Sequence, residues 1–334
     1  MNKILRIVLY VVGGIVVAVA CLLGYVRFGL PQVGPPPSIT IERTAERIQR
    51  GKYLAHHVMV CVDCHSQRDW TKFSGPLVAG TEGRGGEVFD QKVGLPGRYI
   101  APNITPYHLS AWTDGEIFRA ITSGVGKDGR PLFPIMPHPN FGQLDENDIH
   151  AVIAYVRSLQ PIEHRTEDSQ SDFPMSLIIR TIPQKAQSQP IPSEQNTVAY
   201  GKYLVTAASC SDCHTNYIDG SPVGDPFAGG REFPMPDGSL IQSANITPHA
   251  TGIGGWTQEE FVRRFTAYAD SAQQSRIVQK GEFQTIMPWT MYAGMRKEDL
   301  QAIYAYLRTI KPAENRPKLY TSAASKPTAL YLKK

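Results

Sequence analysis

The sequence predicts a mainly α-helical protein, with two tandem, similar helical domains behind an N-terminal transmembrane helix. Three observations carry this. An uncharged apolar run opens the chain, and the remainder repeats itself at an offset near 150 residues. A Cys-x-x-Cys-His run also appears once in each repeat, as Cys61-Val62-Asp63-Cys64-His65 and Cys210-Ser211-Asp212-Cys213-His214. The length agrees, because 334 residues suit about two domains of ~150 residues each. An apolar fraction of 42% is ordinary for globular chains, so each half should bury its own core.

The apolar run extends from Ile7 to Val26, about the ~20 residues a helix needs to cross a bilayer. Lys3 and Arg6 precede it and Arg27 follows, so the bulk of the chain is expected outside the cytoplasm. A cleaved signal peptide competes, with Ala18-Val19-Ala20 as its small-residue site and Cys21 as a lipidation point. Leu22 to Val26 stays apolar past that cysteine, which favours an uncleaved anchor in the inner membrane with the rest of the chain in the periplasm. The anchor is assigned to residues 1–30, and a stiff Pro-rich spacer follows over 31–43.

The repeat then runs twice, over 44–160 and 196–312. Gly51-Lys52-Tyr53-Leu54 returns as Gly201-Lys202-Tyr203-Leu204, and Asn103-Ile104-Thr105-Pro106 as Asn245-Ile246-Thr247-Pro248. Trp112-Thr113 returns as Trp256-Thr257, and Ile135-Met136-Pro137 as Ile286-Met287-Pro288. Such self-similarity over more than a hundred residues marks duplicated domains. Thr113-x-x-Glu116 and Thr257-x-x-Glu260 are capping boxes that start a helix in each copy. Apolar residues at Ile149, Val152, Ile153, Val156 and Leu159 follow one helix face, as do Leu300, Ile303, Tyr304, Leu307 and Ile310. The Gly- and Pro-rich stretches 75–102 and 220–238 have no period and read as loop with at most a short hairpin. Residues 161–195 read as a linker, although Phe173 to Ile182 is apolar enough to dock on something.

The net charge of +4 comes from the tail, residues 313–334, where Arg316, Lys318, Lys326, Lys333 and Lys334 face only Glu314. With no interleaving of aromatic and basic residues, a nucleic-acid partner is not expected.

The Cys-x-x-Cys-His spacing is the attachment site of c-type haem. One helical turn offers two thiols to the haem vinyl groups and an imidazole to the iron. Zinc needs four gathered ligands, and each run supplies three. A thioredoxin-like pair needs a strand before the helix, whereas helical-looking segments precede both runs. The expectation is therefore two covalently bound haem c groups, attached at Cys61, Cys64, Cys210 and Cys213, with iron bound by His65 and His214. The sixth ligand decides between carrier and catalyst. Met136 and Met287 occupy the same offset in the two copies, each before a proline, and a thioether raises the potential of a His/Met haem. His138, Met291 and Met295 are rivals without a counterpart in the other copy. His56 and His57 read as surface or propionate contacts, and His108, His150, His164 and His249 are given no ligand role. The Asn-Ile-Thr-Pro runs match a glycosylation sequon but read as a structural loop. Trp112 and Trp256 read as haem-pocket packing, which would require partners for their buried indole N–H groups.

With these residues in hand, each half resembles a class I cytochrome c domain. The resemblance implies that Gly51 meets Tyr155, and Gly201 meets Tyr306, where the first and last helices cross. The Asn-Ile-Thr-Pro, Trp-Thr and Met-Pro arrangement is similar to that of the cytochrome subunits of bacterial membrane-bound alcohol and gluconate dehydrogenases, and of related anchored di-haem cytochromes. Those subunits typically carry three haem motifs and this chain has two. The implied function is single-electron transfer, not catalysis, between a dehydrogenase or quinol-side donor and a downstream acceptor of the periplasmic respiratory chain. Redox proteins (a dehydrogenase subunit, an oxidase or another cytochrome) and the membrane are the implied partners, with no organic substrate bound directly. A di-haem peroxidase, or another haem oxidoreductase with one displaceable axial ligand, is the alternative.

Overall fold

The computed structural model describes residues 2–218 and 220–323. A single helix, Lys3–Gly24, opens the chain and continues through one wider π turn, Tyr25–Gly29. The whole segment Lys3–Gly29 is long and apolar enough to cross a membrane, with a mean hydropathy of 2.7, and none of its residues is fully buried.

Each half is then built on a crossed pair of helices. In the first, the opening helix Ala45–Tyr53 packs on the closing helix Glu146–Ser158. In the second, Thr197–Ala207 packs on Lys297–Leu307. The crossing is close enough to require glycine. A Cβ on Gly51 would lie 1.8 Å from the Ala151 carbonyl oxygen and 2.8 Å from Tyr155 Cβ. On Gly201 it would lie 1.9 Å from the Ala302 oxygen and 3.0 Å from Tyr306 Cβ. Both capping boxes form, at the starts of Asp114–Ser123 and Gln258–Thr266. Thr44, Asp145 and Asn196 cap the Ala45–Tyr53, Glu146–Ser158 and Thr197–Ala207 helices by accepting hydrogen bonds from backbone N–H groups.

The Gly- and Pro-rich stretches contain short antiparallel strands. In the first half β1 (Val88–Phe89) pairs with β2 (Gly97–Ile100), which also pairs with β3 (Gln170–Ser171). In the second, a two-strand turn, β4 (Tyr217–Ile218) with β5 (Ser221–Pro222), precedes β6 (Glu232–Pro234), β7 (Leu240–Gln242) and β8 (Tyr320–Thr321), which are ordered β6-β7-β8.

The third strand of each sheet corrects the expected boundaries. β3 lies in the stretch read as linker and β8 in the stretch read as tail, yet each completes a sheet of its own half. Asn103 donates to the carbonyls of Ile162 and His164, and Asn245 to those of Ala313 and Asn315. The repeat therefore runs on to about Ser171 and Thr321. A sequence signal existed, because Pro161-Ile162-Glu163-His164-Arg165 returns as Pro312-Ala313-Glu314-Asn315-Arg316. Of the basic tail, Lys326, Lys333 and Lys334 lie outside the described residues.

The expectation of separate cores also fails. One contiguous buried cluster includes Leu54, Val58, Ile149 and Ile153 of the first half with Leu204, Leu300, Ile303 and Leu307 of the second. The halves meet by reciprocal contacts. The one-turn helix His138–Phe141 touches Thr197–Ala207, and its counterpart Trp289–Tyr292 touches Leu54–Val58. The Tyr53 hydroxyl donates to Asp299, and the equivalent Tyr203 hydroxyl donates to Asp148 at 2.7 Å. Both carboxylates are almost wholly buried. Each also holds a partner from its own half: Arg50 binds Asp148 through two nitrogens at 2.8 Å, and Arg296 and the Tyr200 hydroxyl bind Asp299. The seam is a pseudo-two-fold interface folded into one chain.

Candidate functional site

Both Cys-x-x-Cys-His runs form single helical turns, Cys61–Cys64 with His65 as its cap and Cys210–His214. The residue before each run, Val60 or Ser209, sits in the left-handed region at φ 48° or 52°. That conformation is costly for a β-branched valine, and strain of this kind gathers at functional sites. It turns the chain sharply out of the opening helix, so that the thiols and imidazole follow on a new turn.

The imidazoles are held alike. His65 Nδ1 lies 2.8 Å from the Pro102 carbonyl oxygen, and His214 Nδ1 lies 2.7 Å from that of Ala244. Each carbonyl immediately precedes the Asn-Ile-Thr-Pro run. Donation from Nδ1 fixes the tautomer and leaves Nε2 with its lone pair, as for a histidine bound to a metal. Burial keeps both imidazoles below their ordinary pKa, although the hydrogen bond opposes it, so the neutral ligand form is favoured.

The backbone of each histidine is held too, by a glycine that packs directly on the residue whose carbonyl its ring contacts. Gly85 and Gly229 donate their N–H to the carbonyls of His65 and His214. A Cβ on Gly85 would come within 2.5 Å of Pro102 C, and one on Gly229 within 2.4 Å of Ala244 C. The asparagines of the next run face inward, with Asn103 0% and Asn245 5% exposed. Asn103 accepts from the N–H and hydroxyl of Thr105, and Asn245 from those of Thr247. These runs are structural turns and not accessible sequons.

Met136 and Met287 lie half-buried against the shared core, each on the loop leading into the one-turn helix at the seam. Met287 is held from the other half. The Ser74 hydroxyl donates to the Met287 carbonyl at 2.6 Å and accepts from the Trp289 N–H at 3.0 Å. The rivals are placed differently. Met291 and Met295 are buried in the core cluster. His138 is 1% exposed, and among the described residues its Nε2 has no hydrogen-bond partner.

The remaining expectations are partly revised. His56 contacts Glu82 and the Tyr155 hydroxyl rather than solvent. His57 Nδ1 lies 2.7 Å from the Met291 carbonyl across the seam. Trp256 is 38% exposed and Trp112 half-buried. Each lies in a loop tied down by the closing-helix arginine. Arg157 donates to the Leu109 and Trp112 carbonyls, and Arg308 to those of Ile253 and Gly254.

Sequence reasoning missed that side chains of the first half reach the second run. Asn140, from the turn after Met136, donates to Asp212 at 2.9 Å, inside the second Cys-x-x-Cys-His run. Asp63, the equivalent residue of the first run, pairs with Arg68 at 2.9 Å. Tyr292 is 6% exposed and donates to the Ala208 carbonyl. Burial, and then the nearby Cys210, Cys213, Asp63 and Cys64, push its phenol well above the ordinary pKa. Tyr292 therefore stands near groups of both runs. Only its aromatic character, shared with the equivalent Phe141, could have signalled this.

A turn carrying two thiols beside a neutral imidazole with a free Nε2 fits covalent haem, which would supply a one-electron iron centre. Comparison with known proteins agrees. Residues 198–311 match the family model described as cytochrome c. Over 287 residues the chain is 26% identical to the cytochrome c subunit of alcohol dehydrogenase (quinone) from Gluconacetobacter polyoxogenes, covering 79% of this chain and 56% of that one. It is 25% identical over 283 residues to the gluconate 2-dehydrogenase cytochrome c subunit of Pantoea cypripedii, covering 79% and 59%. A diheme cytochrome c-type protein of Cereibacter sphaeroides is 24% identical over 270 residues, covering 76% of this chain and 83% of that one. The chain thus spans little more than half the length of the two dehydrogenase subunits. Residues 198–311 form a cytochrome c domain, and the chain as a whole is similar to the cytochrome c subunits of dehydrogenases.

Proposed function

We propose that the chain is a membrane-tethered di-haem c-type cytochrome that passes single electrons between a dehydrogenase or quinol-side donor and a downstream periplasmic acceptor. The observation that carries this is the duplicated proximal geometry, His65 on Pro102 and His214 on Ala244, each beside two thiols on one turn. Cys61, Cys64, Cys210 and Cys213 would attach the haems. His65 and His214 would bind the iron through Nε2, and Met136 and Met287 would close the opposite faces. The apolar helix Lys3–Gly29 supports the tether.

A Cys61→Ala, Cys64→Ala variant should lose about half of the covalent haem per chain on a haem-stained denaturing gel, because only one of two sites is removed. The second haem should stay attached. Thermal unfolding of the whole chain should nevertheless start lower, because the halves share one core. Wild-type protein without covalent haem would refute the reading.

Ser74→Ala tests the hold on Met287. It removes one buried donor and one acceptor, at a cost of ~1–3 kcal/mol. The second iron should then admit carbon monoxide part of the time, while the Met136 side stays closed. The reduced-minus-oxidised and carbon-monoxide difference spectra measure it.

A further inference from the structure

The apolar stretch at Phe173 to Ile182 belongs to neither half, since the first repeat ends near Ser171 and the second opens at Asn196. It forms a helical turn, Met175–Ile178, followed by a tighter 3₁₀ turn, Ile179–Thr181, which packs on the turn Tyr25–Gly29 at the end of the N-terminal helix. Arg180 Nη1 donates to the Leu30 carbonyl at 3.1 Å, and Ile179 is buried. The neighbouring side chains are not covered. Phe173 is 80% exposed, Ile178 45% and Phe28 84%.

Apart from Asp172, which borders the turn and accepts from Gln91, the charge here is of one sign. From Tyr25 to Pro37 and from Phe173 to Gln189 there is no Asp or Glu, whereas Arg27, Arg180 and Lys185 are present. Burial, and then the nearby Arg27, lower the pKa of Arg180, so two guanidinium groups stand close together without a carboxylate between them. Cations beside exposed aromatic and aliphatic side chains are the composition of a segment lying in a lipid headgroup layer.

We propose that the Phe173–Ile178 turn is a second membrane contact, inserted into the headgroup layer beside the exit of the N-terminal helix, with Arg27 and Arg180 on lipid phosphate. This rests on the helix being an uncleaved anchor. If Lys3–Gly29 spans the bilayer, its last turn lies at the lipid surface, and the segment packed on that turn lies there too. One helix alone lets the haem domains swivel. A second contact, on the segment between the halves, fixes which face of the protein looks along the membrane and which looks away, and so where a membrane-bound donor can approach.

The test uses full-length haem-loaded protein in vesicles of phosphatidylglycerol and phosphatidylcholine. Cys21→Ser removes the native free thiol, and a nitroxide is then placed at Phe173→Cys, Ile178→Cys or, as a solvent reference, Ile218→Cys, a position 59% exposed in the second half. Collision with oxygen, which concentrates in lipid, is compared with collision with a water-soluble nickel chelate. The oxygen-to-nickel ratio at 173 and 178 should exceed that at 218 by about tenfold, as for a segment buried ~5–10 Å into the interface. The ratio should drop in vesicles of phosphatidylcholine alone. An unchanged haem spectrum shows that each variant is folded, and two labelled positions guard against one being disruptive. If the protein floats with vesicles but 173 and 178 match 218, the second contact is refuted and the anchor stands. If it does not float, and its N-terminus lies near Cys21, both fall together.

Discussion

Replacing Met136 or Met287 by alanine should open one iron each. Unmodified protein, six-coordinate at both sites, should bind carbon monoxide negligibly when reduced. Each single variant should bind it at about half of its haem, and the double variant at nearly all of it, if both sites have His/Met ligation. The far-red charge-transfer band of methionine-bound ferric haem should fall in the same proportion. The midpoint potential of the opened site should fall, because the lost thioether favoured ferrous iron. The neighbouring methionines supply the contrast. Met291 and Met295 are 6% and 5% exposed in the core. Truncating either to alanine should cost ~2–5 kcal/mol of stability without changing the ligation spectrum. Ready carbon monoxide binding by one haem of the unmodified protein would contradict the pairing. It would favour the peroxidase-like alternative, with His138, whose buried Nε2 lacks a partner among the described residues, as the next residue to replace.

Most of what places the ligands was legible because it is local. A capping box needs residues three apart, while the meeting of Gly51 with Tyr155 and of Gly201 with Tyr306 was implied by the resemblance to class I cytochrome c domains. Thr113, Thr257, Gly51 and Gly201 therefore stand where the sequence suggested. The seam was not legible. Tyr53 and Asp299 lie 246 positions apart, and no periodicity relates a hydroxyl to a carboxylate at that distance. Nor did composition reveal that residues 170–171 and 320–321 close the two sheets, since two-residue strands carry no alternation to detect. The repeated Pro-x-Glu-x-Arg was the available signal, and its Pro-rich surroundings resembled a linker. The left-handed Val60 had no signal at all, because a valine in that conformation is chosen by the tertiary structure against its own preference.

The largest loss of stability is expected at the seam, from Asp148→Ala or Asp299→Ala. Asp148 is 2% exposed and is bound by Arg50 through two nitrogens and by Tyr203 from the other half. Removing the carboxylate strands a partly buried guanidinium and a buried phenol. Breaking a buried pair in this way costs ~3–5 kcal/mol, more than either single contact is worth. Tyr203→Phe removes one hydrogen bond to a charged acceptor, so it should cost only ~1.5–3 kcal/mol. The double variant should fall short of the sum, because both changes remove the same bond. The seam should also make the fold sensitive to alkali. Burial, and then Asp148, raise the pKa of Tyr203; burial, and then Asp299, push Tyr200 up to about 12. Unfolded tyrosine titrates near ~10, so the stabilisation is fully present below that pH. As pH rises from about 10 towards the folded values, the unfolded chain loses protons that the folded chain keeps. Stability should then fall by ~1.4 kcal/mol per pH unit for each such tyrosine. Urea unfolding followed by far-ultraviolet circular dichroism at pH 8, 10 and 11 measures this, with pH 8 as the reference below the transition. Tyr203→Phe should start lower at pH 8 and lose less on the way to pH 11. Parallel loss in the variant and the unmodified protein would show that the Tyr203 phenol does not carry the alkaline transition.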